Sequence, residues 1–499
     1  MNIPTHHPSR ETASSAPPIA SSTTLAWGAA VTALLTVQFV LLKDALIDDA
    51  YIGLAYAQNF GFHFQWGLVE SIPANTATSA LNVIATGTMT ALVRDPVLAC
   101  GIVYVLSGLV LAVSLHQVFS TLNLPAGAGV LAAGLLLVNP LMVSTIGMES
   151  TLLVALLAVS MLAIVRSRPV PFGVAAALLV LTRPDTILLL LPLALSFRAL
   201  RENWVRPLAA FAAICGAWYL ISWIFLGSVI PDTFFIKAVQ HSWEGETFAN
   251  GVFLFMERTP AMTLLSIVPV VAGAAALLFT LSAALYRRYL RPDLRVFVAA
   301  ALGGLLVFAG YSVIGVPPYH WYYVPTVATL ALFLVAFVCT HTGMFRAVGV
   351  AVLVIAVVLT AVVVFAREDK AAAPITTNWT SAQQYEVLGR ELGAVVGTES
   401  VELDGEAGTI AYFCRCRAVN VFSDQGFMNA RIQEQQSQIP ALAKPTLDVN
   451  WHFRDWSRGQ QQTRYLLSSS TEPTPPGALR SWRVTSQWIG ERYYSLYYV

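Results

Sequence analysis

Charge is scarce in this chain. Asp, Glu, Lys and Arg make up 11% of its 499 residues, against 56% hydrophobic residues, and the mean hydropathy is +0.64. Soluble domains carry roughly 25% charged residues, so the composition is that of a membrane protein. A basic excess is lacking too. The formal net charge of +1 argues against nucleic acid as a partner, because phosphate backbones are bound by a basic face. Cysteine is sparse: of five, Cys100, Cys215 and Cys339 lie in apolar runs, where they read as small buried hydrophobes. Cys414 and Cys416 form an isolated C-x-C, too little for a metal site or a disulfide framework. The chain also has no P-loop, no G-x-G-x-x-G beside a strand, no H-E-x-x-H and no G-x-S-x-G elbow.

What is present is a series of apolar runs. Residues 1–23, rich in Ser, Thr, Pro and Ala, hold little to bury and read as a disordered cytoplasmic tail. The next run has no clear small-residue exit and reads as a retained membrane helix. Spans fall at 25–43, 98–119, 125–146, 150–165, 170–182, 185–197, 207–228, 262–286, 296–315, 324–340 and 347–366. A further run, 79–93, would make about 22 Å of helix, short of the roughly 30 Å hydrocarbon core.

Basic residues set the parity. Arg166/Arg168, Arg198/Arg201/Arg206 and Arg287/Arg288/Arg291/Arg295 all belong in the cytoplasm by the positive-inside rule. With the N-terminus inside, that requires 79–93 to lie at the outer interface without crossing. It also makes 170–197 a short hairpin whose tip, "TRPD" (Thr182 to Asp185), sits below the outer membrane surface. The expectation is a mainly α, polytopic protein with about 11 transmembrane helices over residues 24–366. The outer side then carries the loop 44–97, the Gly147–Met148–Glu149 turn, 229–261 and "GVPPYHWYYVP" at 315–325. Residues 367–499 have ordinary polarity. A helical pattern from Ala382 to Leu392, "SVELDGEAGTIAYF", "TRYLLSS" and a Tyr-rich end predict a small extracytoplasmic α/β domain.

The candidate chemistry gathers on that outer side. "LLKDALIDDAYIGLAYAQNF" sets Asp48 and Asp49 side by side at the mouth of the first span. A carboxylate facing a cavity at a membrane boundary can act as a base on a hydroxyl, whereas the plain alternative is a solvated helix end. Glu149 interrupts the apolar stretch "NPLMVSTIGMESTLL", either facing a functional cavity or favouring a helix start. Arg183 and Asp185 mark the hairpin tip. A recessed Arg suits an anionic headgroup, unless the two simply pair with each other. Lys237 and His320 add cationic or proton-carrying candidates on the same face, while Trp66, Trp243, Trp321, Tyr322 and Tyr323 could stack on sugars. Each of these also fits an interfacial anchor. With no nucleotide site on the cytoplasmic face, outer-side chemistry would draw on a substrate already carried by lipid.

These segments, in their order, resemble the GT-C integral-membrane glycosyltransferases over nearly the whole chain. "IDDAYIGLAYAQNFG" resembles the family's first outer loop, and "VESIPANTATSALNV" the segment leading to its juxtamembrane helix. "LLVLTRPDTILLL", "GSVIPDTFFIKA" and "PPYHWYYVP" are similar to later landmarks. The tail "VELDGEAGTIAYFCRCRAVNVFSDQGF" resembles the soluble module of a subgroup that includes the arabinofuranosyltransferases of actinobacterial cell walls. The resemblance implies transfer of a sugar from a polyprenyl-phosphate donor to a hydroxyl of a cell-envelope glycan or glycolipid, at the bacterial inner membrane, with inversion. Asp48 or Asp49 would be the general base, with a slight preference for Asp48. Arg183, Lys237 and His320 would hold phosphate, and Glu149 would bind substrate hydroxyls. Some relatives use a divalent metal; a lipid monophosphate donor beside these basic residues makes one dispensable. Many relatives read "LRYARN" and "VEGYTSP" where this chain has "LAYAQNF" and "VESIPANTATS", so arabinofuranosyl stands first, with mannosyl or another hexosyl open. The competing readings are a flippase for lipid-linked sugars, which would favour internal repeats and broken helices at mid-membrane, and a carbohydrate-binding scaffold.

Overall fold

The computed structural model describes residues 22–499 except 241, 244, 436–443 and 474; residues 1–21 of the expected disordered tail lie outside the described residues. Helices α1 (Ser22–Leu42), α2 (Asp48–His63), α3 (Ala80–Val93) and α4 (Pro96–Thr121) open the fold. α4 starts where Asp95 caps it, accepting from the Val97 and Leu98 amides at 2.9 and 3.0 Å, with Pro96 in the first turn, where its missing N–H costs nothing. Then come α5 (Ala126–Leu137), α6 (Ser150–Val165), α7 (Pro169–Thr182), α8 (Thr186–Ser196), α9 (Val205–Ile221) and the short α10 (Thr233–Val239). α11 (Pro260–Arg287), α12 (Arg295–Ile314), α13 (Val324–Cys339) and α14 (Gly343–Phe365) complete the bundle.

Among the described residues, 7 helices are long and apolar enough to cross a membrane. The other four expected spans appear as shorter apolar helices, α5 to α8, and α3, at 14 residues, is of the same short class. At 1.5 Å per residue, 11-residue α8 reaches only about 17 Å. The arms of the expected hairpin part company: α7 packs on α6 and α9, α8 on α12. Gly303 of α12 permits that contact, since a Cβ there would stand 2.4 Å from the Leu189 carbonyl oxygen. The parted arms leave Arg183 and Asp185, between them, turned toward α12 and the segment before α13.

After α14 the chain forms α15 (Ala382–Val396), β1 (Ser400–Leu403), α16 (Gly408–Cys414), β2 (Arg417–Val419), β3 (Tyr465–Ser470), β4 (Arg480–Ser486) and β5 (Gly490–Tyr498). The sheet order is β2-β1-β3-β5-β4, parallel across β2, β1 and β3 and antiparallel beyond. Alternation in β1 buries Val401 and Leu403 under α15 and α16 with Ala418, Leu467 and Leu496. Cys414 and Cys416, read as unpaired from their isolated spacing, are joined in a disulfide. The turn at Arg415, in the left-handed region at φ 52°, brings their Cα atoms to 5.1 Å, within bonding range.

The α/β unit docks where several bundle loops gather. A fully buried ion pair, Arg454 Nη1 to Asp232 at 2.9 Å, is its most desolvated tie. The Ile230 amide donates to Asn450 Oδ1 at 2.8 Å, and the Ile375 amide to Ser144 Oγ at 2.7 Å.

Candidate active site

Residue 47 is extended, and α2 begins directly after it. Successive helical residues diverge by about 100°, so the two acids of its first turn point to different places. Asp49 turns into a cavity and stays 28% exposed at its side chain. Asp48, only 5% exposed, turns the other way: it accepts from the Gly408 and Thr409 amides of α16 at 3.0 and 2.7 Å. Burial raises the Asp48 pKa, the two amides oppose that, and neighbouring Asp49 adds to it.

The short α10 brings Lys237 over this turn. Its Nζ lies 2.9 Å from Asp49 Oδ1 and 4.1 and 4.8 Å from the ring centres of Tyr319 and Trp321. Burial is the largest influence and works against the ammonium, but the Asp49 charge and hydrogen bond together with Tyr322 and Tyr319 outweigh it, and the lysine pKa is raised. Arg183, completely buried, forms a two-point pair with Asp185 at 2.9 and 3.0 Å. It also donates to the Trp321 carbonyl at 3.1 Å and the Tyr311 hydroxyl at 2.9 Å, and stands 3.8 Å from Glu149. Tyr322 stacks on Tyr311, with centroids 4.4 Å apart, under the same guanidinium.

One cavity, of about 70 Å³, therefore brings together Asp49, Glu149, Arg183, Lys237 and Tyr322 from five separate sequence regions. Asp185 reaches it only through Arg183. His320 does not line it: the imidazole is fully buried against Trp321 and Phe255, at 4.9 and 6.1 Å between centroids. Trp66 does not line it either. It packs on Trp218 at 4.6 Å and on Tyr56 at 5.7 Å, because the loop after α2 folds back along that helix. A larger cavity of about 580 Å³, lined by Gln58, His63, Glu70 and Arg415, lies on the far face of α2. It contains no closely paired acid and lysine.

Several residues escaped the sequence reading. The Asn75 side-chain amide donates to the Ser222 and Ser228 oxygens at 2.9 Å, and the Asn75 carbonyl accepts from the Asp232 amide at 2.8 Å. Thr76 bonds the Tyr56 hydroxyl at 2.7 Å and the Phe422 carbonyl at 2.6 Å, and its own carbonyl accepts from Thr233. Thr76, Thr233 and Phe422 all line the cavity, so these bonds tie its wall together. The "ANT" stretch was the one available signal; Asp232 and Arg454 carried none, because their pairing spans 222 positions.

Among the described residues, no group of three or more His, Cys, Asp or Glu is arranged to hold a metal ion. The carboxylates at the cavity are each drawn to a cation, Asp49 to Lys237 and Glu149 and Asp185 to Arg183. That set does not fit a metal.

No protein-family model matches the sequence, and no curated protein does. Solved structures do. ArnT from Cupriavidus metallidurans bound to undecaprenyl phosphate aligns with a TM-score of 0.58 at 14% identity, over 95% of this chain and 98% of that one. Arabinofuranosyltransferase AftD from Mycobacteria aligns at 0.53 and 14% identity, over 89% of this chain but 35% of that longer one. The Archaeoglobus fulgidus oligosaccharyltransferase tethered with an acceptor peptide gives 0.52 at 13% identity, over 89% and 69%. The chain has the GT-C fold. Within this GT-C frame, Asp49 follows the first membrane helix, and the cavity lies where the bundle loops meet the C-terminal unit.

Proposed function

We propose that this protein is a membrane glycosyltransferase that moves a sugar from a polyprenyl-phosphate donor to a hydroxyl of a cell-envelope glycan or glycolipid. The observation that carries the reading is the Asp49–Lys237 pair, 2.9 Å apart, in a cavity shared with Glu149, Arg183 and Tyr322. The ArnT structure, bound to undecaprenyl phosphate, supports the donor class. The AftD likeness supports arabinofuranosyl as the first sugar to test, ahead of mannosyl or another hexosyl. In this reading the cavity opens to the outer side of the bacterial inner membrane, and residues 367–499 are extracytoplasmic.

Asp49 is the general base. It accepts the acceptor hydroxyl's proton while that oxygen bonds to the anomeric carbon and the bond to the lipid phosphate breaks. The electron pair leaves with polyprenyl phosphate, and attack from the opposite face inverts the centre. A phosphate is a good leaving group, so proton removal and alignment at the acceptor are the protein's main tasks. Lys237 neutralises charge growing on the departing phosphate. Arriving phosphate competes with Asp49 for the ammonium and so releases the carboxylate for its role as base. Arg183 spends its donors on Asp185, Trp321 and Tyr311, which suits it to shape the cavity and set its potential. Glu149 orients substrate hydroxyls. A space of about 70 Å³ holds only a few water molecules, so donor entry requires the Asp49–Lys237 contact to open.

The test is a panel of synthetic polyprenyl-phosphate sugars with oligosaccharide acceptors, given to purified protein in detergent. Product should form with no membrane gradient, and Asp49→Asn should abolish it while donor still binds. No product from any donor, together with lipid-linked sugar crossing vesicles that hold the protein, would establish a flippase instead.

A further inference from the structure

Asp48 stands one residue from the proposed base yet faces away from the cavity. Both of its carboxylate oxygens are engaged by the C-terminal unit: Oδ2 accepts from the Gly408 amide at 3.0 Å, Oδ1 from the Thr409 amide at 2.7 Å. Residue 408 is glycine for a reason visible in the packing. Its backbone has no positive φ to demand glycine. A Cβ, however, would stand 2.3 Å from the Asp48 carbonyl oxygen and 2.8 Å from Ile52 Cγ1. The bare backbone of α16 is what lets the first turn of α2 approach this closely. One turn on, Tyr51 packs its ring on Tyr412 and Phe413 of the same helix, at 5.3 and 5.5 Å. One face of α2 is thus clasped by α16, while Asp49 and Gly53 present the other to the cavity.

We infer that Asp48 is a positioning residue: through Gly408 and Thr409 the C-terminal unit locks the first turn of α2 and aims the Asp49 carboxylate at the reacting hydroxyl. This rests on the assignment of Asp49 as base. It gives residues 367–499 a part in catalysis beyond the one side chain, Phe422, with which they line the cavity. The chemistry is sensitive to such a lock, because a displacement of about 1 Å at a reacting group can cost on the order of 100-fold in rate. The locked carboxylate also explains why two adjacent acids are useful here: one is spent on the architecture, which leaves the other free for the proton.

The test compares Asp48→Asn, Gly408→Ala, their double variant and Asp49→Asn, in the full-length protein. Asp48→Asn sets an amide N–H against a backbone N–H, and Gly408→Ala pushes α2 away from the other side. Each should lower kcat about 10- to 100-fold while donor KM stays within about 3-fold. The double variant should be no worse than the poorer single one, since both break the same contact. Backbone hydrogen exchange should rise over residues 48–53 in both variants and stay unchanged in Asp49→Asn. If either variant fails to fold, Tyr412→Ala loosens the same clasp further along and should show a milder form of the same kcat-only loss. Unaltered kcat in Asp48→Asn and Gly408→Ala, beside an inactive Asp49→Asn, overturns the lock and leaves the base assignment standing. An inactive Asp48→Asn beside a fully active Gly408→Ala also overturns it, by giving Asp48 a chemical role. A fully active Asp49→Asn would instead remove the base assignment on which the lock rests.

Discussion

Lys237 Nζ is bonded to Asp49 at 2.9 Å and at the same time lies over the faces of Tyr319 and Trp321. An ammonium on a four-carbon stem, supported by two rings, can exchange one anion for another with little movement. That is the property a phosphate-exchanging site needs.

Lys237→Ala should therefore cost more than Lys237→Arg. On the proposed mechanism the alanine variant removes charge stabilisation of the leaving phosphate and should lose about 100- to 1,000-fold in kcat. Arginine keeps the charge but replaces a compact ammonium with a broader planar group, and should retain measurable turnover. Rates with a fixed polyprenyl-phosphate sugar check both. Equal rates for Lys237→Ala and the wild type would remove Lys237 from the phosphate site.

Arg183 behaves differently, because its guanidinium is already occupied by protein groups. Replacing Asp185 with Ala leaves a fully buried cation without its two-point partner, and such losses cost about 3–5 kcal/mol. Asp185→Ala should lower the melting temperature in detergent well before any effect on donor affinity is resolved. A variant that melts like the wild type would show that Glu149, 3.8 Å away, takes over the pairing.

Local sequence carried much of this arrangement. A long apolar run announces a helix by itself, so α1, α4, α11 and α14 were legible, as was the strand, turn and helix of "SVELDGEAGTIAYF". Polar residues breaking apolar runs pointed to Glu149, Arg183 and Lys237, which line one cavity. What stayed hidden was direction. Two adjacent acids look alike in sequence, and only the approach of Gly408, 360 positions away, turns Asp48 from the cavity. Trp66 and His320 are residue types that suit a cavity, but backbone folding packs both elsewhere, Trp66 half-buried on Trp218 and His320 buried against Trp321. The Cys414–Cys416 bond depends on a left-handed Arg415 that the spacing does not announce.

The Asp232–Arg454 pair joins the loop before α10 to the C-terminal unit with side chains 4% and 0% exposed. Arg454→Ala strands a buried carboxylate, again at a cost of about 3–5 kcal/mol, whereas the exposed pair Arg464–Glu399 should contribute about 0–1 kcal/mol. Limited proteolysis should cut Arg454→Ala rapidly between the bundle and residue 499 and leave Arg464→Ala like the wild type. Equal cutting of the two variants would place the docking energy elsewhere.

A pH dependence follows from Glu406, which lies close behind Asp48. The Trp379 amide and the Tyr385 hydroxyl donate to its Oε2 at 2.9 and 2.7 Å, and Tyr385 also bonds the Tyr494 hydroxyl at 2.9 Å. Burial raises the Glu406 pKa well above the usual glutamate range, and the charge on Asp48 raises it further, with a smaller push from Asp49. The folded state therefore binds the proton more tightly than the unfolded chain does. Stability is greatest below the ordinary carboxylate range and falls as pH rises from there through the raised folded-state value. Glu406→Gln keeps an acceptor for both donors and cannot ionise. It should match the wild type in mild acid and melt higher at neutral and alkaline pH, with a flatter slope between. Asp48, shifted in the same direction, keeps some slope in the variant. Melting curves of both proteins across about pH 5 to 9 decide it: parallel lines would mean that Glu406 titrates normally, with water reaching its carboxylate in the folded state.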